Sequence, residues 1–155
     1  MHAVATAHDQ QYMGDSPKRL AVMRSLQAAS RKAYAIAGIE DPLRDFDVAE
    51  VYEPATYAEL AMCENLGFCP MGGGGKLIDD GVTLIDGPLP VNPSGGVLST
   101  NPVGATAMIR VAEAAMQVMG EAGAHQIPDV TRALATGYGG NAWTDVMILS
   151  AERPA

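Results

Sequence analysis

The sequence predicts an α/β fold: one five-stranded mixed sheet with helices on both faces, in the order βαβαβαββ, as a single domain over residues 1–155. Three observations carry that expectation. Short apolar or alternating runs, the strand pattern, take turns with longer runs whose apolar residues recur every three or four positions, the helix pattern. Glycine, proline and asparagine punctuate nearly every change. The last two runs, "VTRALATG" and "NAWTDVMILSA", are both strand-like and joined by a Gly-rich turn. They read as a hairpin, while the alternating part implies largely parallel strands joined by crossover helices.

Taken in order, "HAVATA" is the first strand, and "QQYMGDSPK" is loop. Ser16 and Pro17 are the expected N-cap and first helical residue of a helix over residues 17–37. Its apolar positions Leu20, Met23, Leu26, Ala29, Ala33 and Ile36 share one face, and Gly38 closes it. "DFDVAEVYE" alternates and stops at Pro54, a strand ending in a turn. "TYAELAMCENLGF" is the second helix, with Gly67 near its end, and "CPMGGGGKLIDDG" is a glycine loop. "VTLIDGPLPVN" supplies a short strand broken by prolines.

The third helix lies in "PVGATAMIRVAEAAMQVMGEAG". Its polar residues Arg110, Glu113, Gln117 and Glu121 form one narrow stripe, and the rest is Ala, Val, Met, Ile or Gly. A helix so apolar around its circumference is expected to be buried on most sides. The preceding "TNPVG" places Asn101 as its N-cap and Pro102 at the first helical position. A buried helix start carries unpaired N–H groups and partial positive charge, which suit an oxyanion, a carbonyl oxygen or a phosphate.

Composition narrows the function classes. The net charge of −8 argues against a nucleic-acid partner. No run is apolar for the roughly 18 residues a membrane span requires, and the first residues lack the pattern of a signal peptide. A cytoplasmic setting is the expectation. Only 18% of residues are charged, below the usual quarter, so part of the surface is expected to lie under a partner. Cys63 and Cys69 read as small buried hydrophobes, and His2, His8 and His125 have no ligand spacing, so no metal is expected. "PMGGGGK" fails the phosphate-loop pattern, because Pro70 stands at the first required glycine and Leu77 at the Ser/Thr.

"DVAEVYEPATYAEL", "GPLPVNPSGGVLSTNPVGATAMIRVAEAAMQVMGEAGAHQ" and "ATGYGGN", in that order, resemble the C-terminal half of the thiolase superfamily. The likeness is to thiolases of the sterol-carrier-protein-x and lipid-transfer type, with acetyl-CoA acetyltransferases among them. The resemblance implies two similar halves in a protein more than twice as long, with central helices sandwiched between sheets. It implies a nucleophilic cysteine in an N-terminal half that has no counterpart here. It implies a coenzyme A thioester as substrate, with no further cofactor. Partners it implies are acyl-CoA, a thiolase N-terminal half or a second copy of the chain, and in some branches a small zinc-ribbon/OB-fold protein.

The C-terminal motifs of such thiolases are Asn-Glu-Ala-Phe, Gly-His-Pro and a Cys-containing Gly-rich turn. Here they become "YEPA", "TNP" and "ATGYGGN". Tyr52 stands for the Asn and Asn101 for the His, Glu53 is kept, and none of Ala135, Thr136 or Gly137 is a cysteine. A tyrosine at the Tyr52 position is implicated in an aldolase-like branch acting on acyl-CoA side chains. The expectation is therefore a C-terminal subunit or fragment of a thiolase-like acyl-CoA enzyme, performing acyl transfer or C–C bond chemistry beside a thioester. The alternative is a non-catalytic structural or acyl-binding module.

Each candidate has two readings. Tyr52 is a strand-end aromatic or a general acid/base at a carbonyl, and Tyr138 has the same pair of readings. Asn101 is a cap, an oxyanion donor, or both. Asn92, Ser94, Gly95 and Gly96 form a turn needing close backbone approach, which the resemblance lays along the pantetheine arm. Gly139 belongs to the last Gly-rich turn on the substrate side. Glu53 anchors its own loop by hydrogen bonds rather than doing chemistry.

Overall fold

The computed structural model describes residues 1–9, 21–139 and 143–152. The chain runs β1 (Ala3–His8), α1 (Arg24–Ala37), α2 (Pro42–Asp45), β2 (Val48–Glu50), α3 (Thr56–Leu66), α4 (Gly74–Asp79), α5 (Gly96–Ser99), α6 (Thr106–Met119), β3 (Arg132–Gly139) and β4 (Trp143–Ser150). Ser16 and Pro17, the expected cap and first turn of the first helix, lie outside the described residues, and α1 begins at Arg24, after Met23 as N-cap, rather than at residue 17. Gly38 and Gly67 close α1 and α3 in the left-handed conformation, at φ 67° and 82°.

The sheet is mixed, in the order β1-β4-β3-β2. It has four strands rather than five, and its pairings are mostly antiparallel rather than parallel: β1–β4 and β3–β4 are antiparallel and only β2–β3 is parallel. The missing strand shrinks to one parallel bridge between Ala49 and Val91. Ala49 N donates to Pro90 O and Asn92 N to Ala49 O, at 3.0 and 2.8 Å. Pro88, Pro90 and Pro93 flank that bridge and have no N–H to extend the ladder.

One face of the sheet carries α1 and α3. Leu26, Ala29, Ala33, Met62 and Leu66 pack there on Ala3, Ala5, Leu134, Val146 and Ile148. Val48, Ala133, Ala135 and Leu149 line the other face, under Ala114 of α6. The glycine run is not all loop. Gly74 opens the short α4, and a Cβ there would stand 2.9 Å from Leu60 O, so only glycine lets α4 approach α3 this closely.

The third predicted helix differs from expectation in two ways. It starts late: Val103–Ala105 form a 3-10 turn, Val103 sits at φ 53°, and the α-helix begins at Thr106. Pro102 is therefore not its first residue. It is also turned polar side inward. Its buried residues are Thr106, Arg110, Ala114 and Gln117, while Met108 and Met119 are 70% and 59% exposed. The reason is nonlocal. Small residues on β3 leave room beneath the helix, Arg110 meets Glu50, and Gln117 is bonded by its amide to His125 O and Ile127 N.

Candidate active site

The parallel strand β2 ends at Glu50, opposite Ala135, while β3 runs on to Gly139, and the chain carries its unusual polar residues around the end of β2, where α/β sheets commonly bind ligands. Tyr52 lies two residues past β2, and its backbone N–H donates to Thr136 Oγ1 of β3 at 2.8 Å. Its ring meets that of Tyr138, centroids 6.1 Å apart and planes tilted by 51°. The structure thus brings together two tyrosines that are 86 positions apart in sequence (138 − 52). Burial, then the neighbouring Tyr57, pushes the Tyr138 phenol upward, so it stays a neutral donor at pH 7.

The turn after the Val91 bridge is fastened to β2 from two sides. Asn92, itself left-handed at φ 53°, accepts the Val51 N–H on Oδ1 at 2.7 Å. Ser94 donates its hydroxyl to Glu50 Oε2 at 2.7 Å and its N–H to Glu50 Oε1 at 3.2 Å. Glu53 is 2% exposed, and its Oε1 accepts the N–H groups of Val97 and Leu98 at 2.7 and 3.3 Å. Gly96, at φ 62°, passes against this carboxylate: an added Cβ would overlap Glu53 Oε1 and come within 2.7 Å of Asn92 Nδ2. Gly95, at φ 93°, turns the chain ahead of it.

Burial raises the pKa of Glu53, with the surrounding amides acting in the opposite sense. Its Oε2 is buried without a hydrogen-bond partner among the described residues. Burial also raises Glu50, opposed by Ser94 and by Arg110.

Asn101 is exposed and is not the N-cap of α6. Its Oδ1 accepts the Val103 N–H at 3.2 Å and the Thr106 hydroxyl at 2.8 Å, so it holds the 3-10 turn that precedes the helix. With the oxygen engaged, Nδ2 keeps the donors of this amide. The helix start is at the surface rather than buried, since residues 101–105 are all exposed. It nonetheless adjoins β3, because a Cβ on Gly137, next to Tyr138, would lie 3.4 Å from the Cβ of Ala107. Gly139 pairs with Trp143 at the end of the hairpin, and the next residues lie outside the described part.

Arg110 and Glu50 are absent from the expected site residues, yet they form its most buried polar contact: NH1 to Oε2 at 2.6 Å, with side chains 2% and 0% exposed. The sequence signal was an arginine in an alanine-rich helix and a glutamate inside an apolar strand. The cysteines supply no nucleophile, since burial pushes both thiols upward and leaves them protonated. Among the described residues, no group of three His, Cys, Asp or Glu could hold a metal ion, and no helix is long and apolar enough to cross a membrane.

Residues 5–151 match the family model described as thiolase C-terminal domain-like. The chain belongs to that family. It is 37% identical over 117 residues to an acetyl-CoA acetyltransferase of Methanothermobacter thermautotrophicus, covering 75% of this chain and 30% of the relative. It is 41% identical over 107 residues to sterol carrier protein 2 of Rattus norvegicus, covering 68% of this chain and 19% of the relative. A solved structure, an Ltp2-ChsH2(DUF35) aldolase, superposes with a TM-score of 0.83 at 28% identity, over 99% of this chain and 39% of that one. The chain thus spans a third or less of the length of these curated relatives.

Proposed function

We propose that this chain is the C-terminal part of a thiolase-like acyl-CoA enzyme that makes or breaks a C–C bond beside a thioester, completed by an N-terminal half. The observation that carries this reading is the Tyr52–Tyr138 pair just beyond the end of β2, in a thiolase-family chain with Asn101 bonded to the start of α6. Departure from the His and Cys motifs argues against ordinary thiolysis by this half. The structural relative named an aldolase supports carbon–carbon chemistry of the aldol type.

In the cleavage direction, Tyr52, once its own phenol proton has passed to solvent, takes the proton of a β-hydroxyl on the acyl chain. The bond between the α and β carbons breaks, a carbonyl compound leaves, and the electron pair passes into the thioester as an enolate. The Asn101 amide donates to the enolate oxygen, and the α carbon then takes back the proton held on Tyr52, which restores that residue. Tyr138, kept neutral by burial, holds the Tyr52 ring in place. Glu53, Asn92, Ser94, Gly95 and Gly96 shape the turn along which the thioester arm lies, the buried carboxylates acting from behind it. Any nucleophilic cysteine comes from the N-terminal half.

The outward face of α6 supports the partnership. Met108 and Met119 of α6 are 70% and 59% exposed, with Val103 of the preceding 3-10 turn 75% exposed, and an apolar surface of this kind supports an interface. An N-terminal half is the proposed occupant, because the relatives extend so far beyond the matched region. A second copy of the chain and a small zinc-ribbon/OB-fold protein are the remaining partners the resemblance suggests.

One observation favours a non-catalytic acyl-binding or structural module: Asn101 is exposed and its oxygen is engaged in its own turn. Tyr52→Phe and Asn101→Ala separate the two readings. Each is expected to lower acetoacetyl-CoA cleavage or retro-aldol activity of the assembly by roughly 100-fold, the scale of a lost proton-transfer or oxyanion group. An active assembly that keeps its rate after both changes makes the chain scaffold.

A further inference from the structure

We propose that the Arg110–Glu50 ion pair, bridged by Ser94, is a positioning device: it sets α6 and the 92–98 turn against the end of β2, and so sets where Asn101 stands relative to Tyr52. The proposal rests on the reading of this end of the sheet as the acyl-thioester site.

The pair is a poor choice if stability were its only role. Taking both charges out of water costs about as much as their attraction returns, and apolar side chains of similar volume commonly serve as well or better. The same layer is otherwise filled that way, by Val48, Ala114 and Ala135, each 0% exposed. What the pair supplies is direction. Arg110 NH1 donates to Glu50 Oε2 at 2.6 Å and to Ser94 Oγ at 2.7 Å. Ser94 in turn donates to Glu50 through both its hydroxyl and its N–H, and its Oγ accepts the Gly96 N–H at 3.3 Å. One guanidinium nitrogen thereby joins a strand end, a turn and a helix.

Those three segments carry the candidate site. Tyr52 is two residues beyond Glu50, Asn92 to Gly96 surround Ser94, and Asn101 bonds to Thr106, one helical turn before Arg110. A slide of α6 by a single residue, about 1.5 Å along its axis, would lengthen or misalign both Arg110 bonds. An apolar contact would tolerate the same slide with little loss. Glu53 cannot replace the pair, because it holds the turn through Val97 and Leu98 and makes no bond to α6.

The test uses the intact chain, with Glu50→Leu/Arg110→Met as the main variant and Arg110→Lys as the conservative one. Amide exchange is read by NMR at Val97, Leu98 and Tyr52, whose N–H groups bond to Glu53 and Thr136 and not to the pair. The double variant is expected to keep its unfolding midpoint while these amides exchange roughly tenfold faster, as local opening becomes easier. Arg110→Lys is expected to recover most of the protection. In the assembly with an N-terminal half, kcat falls and KM stays close to wild type. Wild-type exchange at these amides in a folded double variant overturns the proposal. Should the double variant not fold, Ser94→Ala carries the same readout, and unchanged exchange there overturns the proposal equally. An assembly that is inactive with the wild-type chain defeats the enzyme reading, while the exchange measurement still decides the positioning role.

Discussion

Gly96→Ala should be among the most damaging single-methyl changes in this chain. Gly96 sits at φ 62°, where an L-residue costs about 1–2 kcal/mol. The new Cβ would overlap Glu53 Oε1, which must then move and release the N–H groups of Val97 and Leu98. Hydrogen bonds contribute about 0.5–1.5 kcal/mol each, and loss of the two brings the total to about 2–4 kcal/mol. Domains of this size are stable by about 5–15 kcal/mol, so the midpoint of urea unfolding followed by circular dichroism should fall markedly. Gly75→Ala is the control. Gly75 lies within α4 with nothing within 4 Å of its missing Cβ, so alanine there should be neutral or stabilising by about 0.5–1 kcal/mol. The cost of Gly96→Ala should also shrink in a Glu53→Ala background, where the overlap is gone. Equal unfolding midpoints for wild type and Gly96→Ala would refute the clamp formed by Glu53 on this turn.

Three other outcomes follow from the same geometry. Because burial raises the Glu53 pKa, its neutral form favours folding: that contribution is complete below the ordinary value of 4.5 and is lost as pH rises through the raised one. Glu53→Gln should therefore flatten the decline in stability between weakly acidic and neutral pH, measured by unfolding across that range. Met108→Asp with Met119→Asp should abolish association through the outward face of α6 without changing the unfolding midpoint of the chain itself, read by light scattering and urea titration. Iodoacetamide should label Cys69 and Cys63 slowly in the native chain, Cys63 slowest, because burial holds both thiols protonated; rapid labelling of Cys63 would contradict its placement.

Periodicity suggests which residues share a face: in α1 it groups Leu26, Ala29 and Ala33 correctly, whereas Ile36, assigned to the same face, is 63% exposed. It cannot say which way a face looks. The stripe of Arg110 and Gln117 has the spacing of a solvent face, but the structure turns it onto the sheet, because its partners, Glu50 and the 125–127 segment, come from distant parts of the chain. The third strand failed for a local reason that was already visible, the alternating prolines around Val91. The glycine run misled in the other direction: Gly74 is there for close helix packing rather than for loop freedom. At the site, Tyr52, Asn92, Ser94 and Gly96 could be named from motif order, whereas the Arg110–Glu50 contact required the fold. Asn101 caps neither the α-helix nor the 3-10 segment, whose N-cap is Pro102; it braces that segment through the Val103 N–H and the Thr106 hydroxyl, and Val103 at positive φ delays the α-helix.

The most direct test combines the purified chain with a thiolase N-terminal half and follows cleavage of acetoacetyl-CoA and of a β-hydroxyacyl-CoA. The account predicts a stable complex that releases the cleaved products and loses that activity on Tyr52→Phe. A complex of two folded partners with no turnover of either substrate, or one indifferent to Tyr52, would contradict it.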